Sequence, residues 1–327
     1  MYGTVMSHIT RRLLSTSAPR RSSAAEACSE IFERFGNKPV SVRKQLFDAN
    51  QVQQLSLTLG RPDLHKNVPV TERPPVDGTP VPPGYHLVYF TPTFLEQDLG
   101  RDGTDRTVNP LSPYTRRMWA GGELQWTQDP SKFLRIGHVV QETTELLSAV
   151  PKKLKTGAEM LLVGVQKTYE MESGIALIDK RNWVFQTEIT EPKEPPPRPA
   201  EQPLPEGEHM RDFAQTDVSL FRFSALTFNA HKIHYSPEWC RKVEGHRDSV
   251  VHGPLNLINM LDFWRDRARN AEEDAVPKSI AYRAMSPLYV MEPYRILLEN
   301  DKDDKARWQA GIWDSYGKQS MKASIVE

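Results

Sequence analysis

The stretch EPKEPPPRPAEQPLPEGE, residues 191–208, constrains the fold more than any other part of this chain. It mixes proline with charge and lacks apolar periodicity, so it should run extended as a semi-rigid spacer. On either side lie parts of similar kind. Before it, QLFDANQVQQLSLTL (45–59) predicts a helix, and GYHLVYFTP (84–92) predicts a buried helix or strand. GELQWT, HVVQETTELLSAV, AEMLLVGVQKTYEM and NWVFQTEI follow with period-two alternation or β-branched and aromatic enrichment, as antiparallel strands would. After the spacer, SLFRFSALTF predicts a strand entry. LNLINMLDFWRDRARN (255–270) predicts the strongest helix, with Leu257, Leu261 and Trp264 at spacings of four and three. SIAYRAMS, YRILLEN, ARWQAGIW and QSMKASIV predict further strands. One helix wrapped by antiparallel strands, written twice, implies two α+β units in tandem, residues 26–190 and 209–327. No residue-level repeat accompanies that pattern. A second proline-dense stretch, residues 61–84, reads as a surface loop because apolar segments resume on both sides.

Residues 1–25 differ from the rest. They carry Arg11, Arg12, Arg20 and Arg21 and no Asp or Glu, are rich in Ser and Thr, and put Ile9, Leu13 and Leu14 where one face of a short helix can hold them. An Arg-rich, acid-free amphipathic start is the pattern of a mitochondrial presequence, which predicts the mitochondrial matrix; a disordered basic tail is the plainer alternative. No apolar run reaches the length of a membrane-spanning helix, so no membrane insertion is expected. Basic and acidic residues balance at 42 each and are scattered, which gives no argument for nucleic acid. Two cysteines, Cys28 and Cys240, exclude a disulfide-rich secreted scaffold and suit a reducing compartment.

The chemistry-bearing stretch is FSALTFNAHKIHY (223–235), where Asn229, His231 and His234 follow directly on an apolar run. Isolated histidines are ordinarily satisfied core or surface groups. His231 and His234, three apart, raise a zinc reading with His246 or His252 as further ligands, but ligand count and spacing fall short of known sites, so no metal is expected. About twenty residues on, VVHGPLNLI (250–258) puts Gly253 and Pro254 at a helix start. That is good helix architecture in its own right. It also suits an oxyanion, because the first helical N–H groups and the macrodipole point at whatever sits there. An imidazole to move a proton and a helix start to hold an enolate oxygen are the parts for chemistry beside a carbonyl.

FSALTFNAHKIH resembles the hydratase motif of the MaoC-like hot-dog enzymes, aromatic-x-x-Leu-Ser/Thr-Gly-Asp-x-Asn-Pro-x-His, with matches at Phe223, Leu226, Thr227 and His234. VVHGPLNLINML resembles the helix that follows it in that family. YHLVYFTP (85–92), LGRDG (99–103) and RRMWAGGELQW (116–126) are similar to the fungal mitochondrial 3-hydroxyacyl-thioester dehydratase type 2 branch; together the resemblance spans most of residues 45–300. It implies a double hot-dog, each half a curved antiparallel sheet around a long central helix with an acyl-thioester tunnel between them. It also implies reversible loss of water from a (3R)-hydroxyacyl thioester to give the trans-2-enoyl thioester. In mitochondria that step belongs to type II fatty-acid synthesis, with acyl carrier protein as partner or CoA as the alternative carrier, and a homodimer is one assembly to expect. The chain departs from the motif at three places: Phe228 stands for Gly, Asn229 for Asp, and His231-Lys232 for Asn-Pro.

On this resemblance His234 is the single acid/base, Asn229 positions the β-hydroxyl because an amide cannot titrate, and the Gly253 N–H stabilises the enolate. His231 and His252 are assigned to substrate binding. Arg116 and Arg117 are candidates for a carrier phosphate, their plain alternative being solvated charges beside a tight Gly121-Gly122 connection. Glu123 is a candidate second carboxylate, while Trp119 and Trp126 read as core. No organic cofactor is expected, since the thioester itself acidifies the α-proton. Two other readings stand beside this one: a hydratase of short, branched or dicarboxylic enoyl-CoA, and a retired hot-dog protein that only binds acyl thioesters.

Overall fold

The computed structural model describes residues 22–327; the expected presequence lies outside the described residues apart from its last four positions. Those four belong to a folded element. Ser23 caps helix α1 (Ala24–Phe35) through a capping box with Glu26, and Ala24 is buried. Helix α1 thus includes Ala24 and Ala25, which precede residue 26.

Strand β1 (Ser41–Leu46) and helix α2 (Ala49–Thr58) follow, then a short hairpin, β2 (Asp63–His65) with β3 (Val68–Pro69). The proline-dense stretch does not stay on the surface: residues 79–90 are all buried and end in a 3-10 turn, Tyr85–Val88. Four long strands complete the first half, β4 (Arg116–Trp126), β5 (Val139–Lys153), β6 (Glu159–Met171) and β7 (Gly174–Gln186).

The spacer is largely exposed and free of helix and strand, as its composition predicts. Beyond it come β8 (His209–Phe213), helix α3 (Asp217–Leu226), a single turn α4 (Pro237–Trp239) and the long helix α5 (Gly253–Ala268). Strands β9 (Ser279–Ala284), β10 (Tyr294–Asn300), β11 (Arg307–Asp314) and β12 (Gln319–Val326) close the chain. SLFRFSALTF is thus the helix α3 and not a strand. Thr216 and Ser219 form a capping box, and Leu220, Phe223 and Leu226 repeat every three residues on its buried side.

Ten strands form one antiparallel sheet in the order β1-β5-β6-β7-β4-β9-β12-β11-β10-β8. Leaving the small hairpin aside, each half orders its strands first, third, fourth, fifth, second. The duplication invisible at residue level is explicit in this topology. The halves meet where β4 pairs with β9, Gly121 opposite Arg283 and Gly122 opposite Tyr282. Gly121-Gly122 is therefore no strand connection. It lies within β4 beside a bulge, Gly121 has φ 147°, and a Cβ on Gly122 would come within 2.1 Å of the Lys180 carbonyl oxygen.

The halves differ in their helices. Residues Leu255–Arg265 of α5 are buried on every side, the signature of a central helix. The first half has no helix of that length: α2 spans ten residues and buries only Val52, Leu55 and Ser56. Its Gly84 turn packs instead on α5, against Ile258 and Leu261. Buried Arg265 ties α5 to the first half by donating to the Leu64 carbonyl at 2.6 Å, with Asp262 at 2.9 Å. One apolar cluster, including Phe47, Leu124, Leu177, Leu261 and Ile312, runs through both halves.

Candidate active site

Between the halves lies a cavity of about 1400 Å³ whose lining includes Asn229, His231, His234, His252 and Gly253. Local backbone chemistry places these side chains. Helix α3 ends at Thr227, whose hydroxyl back-bonds to the Phe223 carbonyl at 2.7 Å. The chain then reverses through Phe228 at φ 46°. That left-handed conformation favours glycine, the residue of the general motif, and here a phenylalanine carries it. Asn229 accepts the His231 N–H through Oδ1 at 3.1 Å, an Asx turn that aims the following 3-10 turn, Lys232–His234, into the cavity.

His234 is buried and its Nδ1 lies 2.7 Å from the Val250 carbonyl. A carbonyl only accepts, so Nδ1 carries the proton and Nε2 is left as the basic atom. The ring stacks on His252, centroids 3.6 Å apart, and meets His231 edge-on at 5.5 Å. His252 sits next to Gly253 at the start of α5, its Nε2 2.8 Å from the Ser224 hydroxyl. Burial depresses all three imidazoles. His234 falls to about 4, with His246 adding to the effect. His231 lies well below its ordinary value, lowered further by His234, Arg117 and Arg116, and so does His252, lowered further by its two histidine neighbours. At neutral pH the cluster is uncharged, as a general base requires. Among the described residues no group of three or more His, Cys, Asp or Glu side chains is arranged to hold a metal ion.

Gly253 opens α5 with its first N–H groups lacking intrahelical acceptors. A Cβ there would come within 3.0 Å of the Trp119 indole. Trp119 therefore walls the cavity at the helix start and, like Trp126, packs against the apolar cluster as expected.

The arginines are occupied. Arg116 is held by Glu244 at 2.7 Å and Gln186 at 3.0 Å. Arg117 pairs with Asp105 at 2.5 Å and lies over Trp183, while still lining the cavity. Glu123 is not in the cavity wall; it pairs with Lys180 and Gln125. The first-half carboxylate that does reach the histidines is Asp102, whose Oδ2 lies 3.5 Å from His231 Nε2. Its other oxygen is fixed by the Thr104 hydroxyl at 2.6 Å, and its carbonyl accepts the Lys232 N–H at 2.7 Å. Gly103, at φ 84°, lets this loop close on the histidine segment: a Cβ would sit 2.0 Å from the Ala230 carbonyl oxygen. Asp102 falls inside LGRDG, and the glycine beside it was the one available signal.

The family model described as hydroxyacyl-thioester dehydratase type 2 matches residues 84–290. Among curated relatives, the mesaconyl-C(4)-CoA hydratase of Chloroflexus aurantiacus is 29% identical over 231 residues, covering 70% of this chain and 78% of its own. The mitochondrial hydroxyacyl-thioester dehydratase type 2 of Schizosaccharomyces pombe is 27% identical over 242 residues, covering 67% and 78%. Among solved structures, a MaoC-like dehydratase from Phytophthora capsici superposes with a TM-score of 0.62 at 15% identity, covering 90% of this chain and 97% of that one. At that identity the likeness is one of fold, the double hot-dog that the paired strand orders describe. The matched segment runs from the Gly84 turn through both histidines and the start of α5 to Val290, and the chain accordingly belongs to the hydroxyacyl-thioester dehydratase type 2 family, a hydro-lyase on a double hot-dog fold.

Proposed function

We propose that the chain interconverts a 3-hydroxyacyl thioester and its trans-2-enoyl thioester, with His234 as the acid/base. In the dehydration direction His234 Nε2 takes the C2 proton, and the thioester oxygen gathers enolate charge at the Gly253 N–H. The C3–O bond then breaks as the same proton is returned to the departing hydroxyl, releasing water. Asn229 Nδ2 remains to orient that hydroxyl, since Oδ1 is engaged with the His231 N–H. His231 and His252 border the substrate, and Asp102 orients His231. The observation that carries this reading is His234 itself: neutral, its tautomer set by Val250, stacked on the residue that precedes the helix start.

Location and pathway are finer proposals. The Arg-rich start and the printed names of the yeast relatives support a mitochondrial protein. The motif resemblance of residues 223–234 and 116–126 favours linear acyl chains of mitochondrial fatty-acid synthesis carried on acyl carrier protein, whereas the Chloroflexus relative is named for a dicarboxylic CoA substrate.

The direct test is hydration of trans-2-enoyl-CoA by the full chain beside His234→Ala. Loss of about 10²-fold or more in kcat with retained thioester binding is expected for removal of an acid/base. Undiminished activity in the variant would overturn the assignment, and thioester binding without turnover in the unmodified chain would favour the retired binding protein.

A further inference from the structure

The first-half wall of the cavity carries a charged patch among apolar residues such as Phe94, Met118 and Trp183. Arg43 on β1, Lys167 on β6 and Arg181 on β7 all line it. Lys167 bonds Glu142 at 2.9 Å, and Arg181 Nε bonds Asp179 at 2.7 Å; Arg43 donates to the Thr91 carbonyl at 2.7 Å and to the Phe90 carbonyl, and approaches Glu142 at 3.6 Å. Glu142 and Asp179 are only 1% exposed, whereas Arg43, Lys167 and Arg181 keep 30%, 13% and 14%. Asp179 lies behind the bases, and Glu142 lines the cavity with them. His86, 3.4 Å from Asp179, is buried with its ordinary value lowered and adds no cation to the patch; burial lowers Lys167 as well, and its contact with Glu142 opposes that shift. Arg117 and Asp105 form a matched pair beside them and add no net charge.

The charged patch is a poor seat for hydrocarbon. An alkyl tail would take the remaining water from three charged heads and return no hydrogen bond. A carboxylate would supply the missing negative charge and accept from guanidinium and ammonium together. The wall is also close to the chemistry: the indole that touches Gly253 has the Arg181 guanidinium 5.4 Å from its centroid. One indole separates the proposed enolate site from the cationic patch, a span that a short acyl group bridges.

We infer that the acyl group of the substrate is short and ends in a carboxylate held by Arg43, Lys167 and Arg181. This inference rests on the hydro-lyase reading of the same cavity and, of the two substrate classes set out there, selects the short dicarboxylic one. Two probes of equal carbon number test it, trans-glutaconyl-CoA and trans-2-pentenoyl-CoA. The full chain should prefer the carboxylate by about tenfold or more in kcat/KM, the scale of one charged hydrogen bond. Lys167→Met and Arg43→Gln should each collapse that ratio toward unity, mainly through KM. Either variant leaves Glu142 one cationic partner, so folding is expected to survive and is checked by thermal melting. Equal or better use of pentenoyl-CoA would overturn the inference and leave the hydro-lyase reading standing. If neither probe turns over, calorimetry with glutaryl-CoA against valeryl-CoA still decides the carboxylate site. Tighter glutaryl binding lost in the variants supports it, and equal binding refutes it.

Discussion

His234 keeps a neutral ring because burial makes its charged form costly, and the same physics reaches beyond catalysis. His65, His234 and His246 fall to about 4, and His231 and His252 lie well below their ordinary 6.5. Between those values and 6.5 the unfolded chain binds more protons than the folded one, so stability rises with pH across that window and is lost as pH falls through it. Urea midpoints at pH 7, 6 and 5 should decline steadily, and His234→Gln should flatten the decline. The buried carboxylates Asp105 and Asp179, held far below their usual range by arginine pairing, add nothing to that window. For activity, the acid limb of kcat/KM is expected near pH 4; a limb at 6.5 would mean that another group is the base. Asp102→Asn should keep the Thr104 contacts but weaken the hold on His231, lowering kcat about tenfold with little change in melting temperature. His234, Asn229 and Gly253 were legible because motif spacing preserves them. Asp102 was not, because it reaches His231 across more than a hundred residues of chain.

At the scale of elements, local patterns identified most strands and the central helix. The strands carry β-branched and aromatic runs, and α5 repeats apolar residues at helical spacing. Helix α3 escaped because its apolar residues satisfy both a two- and a three-residue repeat, and only the Thr216/Ser219 box separates the two. Helix α1 escaped because an Arg- and Ser-rich start ran directly into its cap. That cap yields a measurement: a chain beginning at Glu26 loses Ser23 and the Ala24 N–H bond to Glu159, and should melt lower than one beginning at Ser22. The expected difference is about 1 kcal/mol, that of an N-cap.

Across the whole molecule the β4–β9 seam is the element on which the two halves depend. A side chain at Gly122 would strike the Lys180 carbonyl, so Gly122→Val should cost several-fold in soluble yield or shift the melting curve strongly downward, measured by circular dichroism. The sequence anticipated two tandem units but not that one helix would serve both, because a shared core leaves no periodic trace in the half that lacks its own. Joining the units in one polypeptide has a further effect. In an assembly of two identical subunits every substitution appears twice, so residues that improve one site's specificity are copied into the other's reaction centre. Here the covalent link removes that symmetry. The second half carries the histidines and the helix start and the first the facing wall, so changes in substrate range can accumulate on one side without any change to the chemistry on the other.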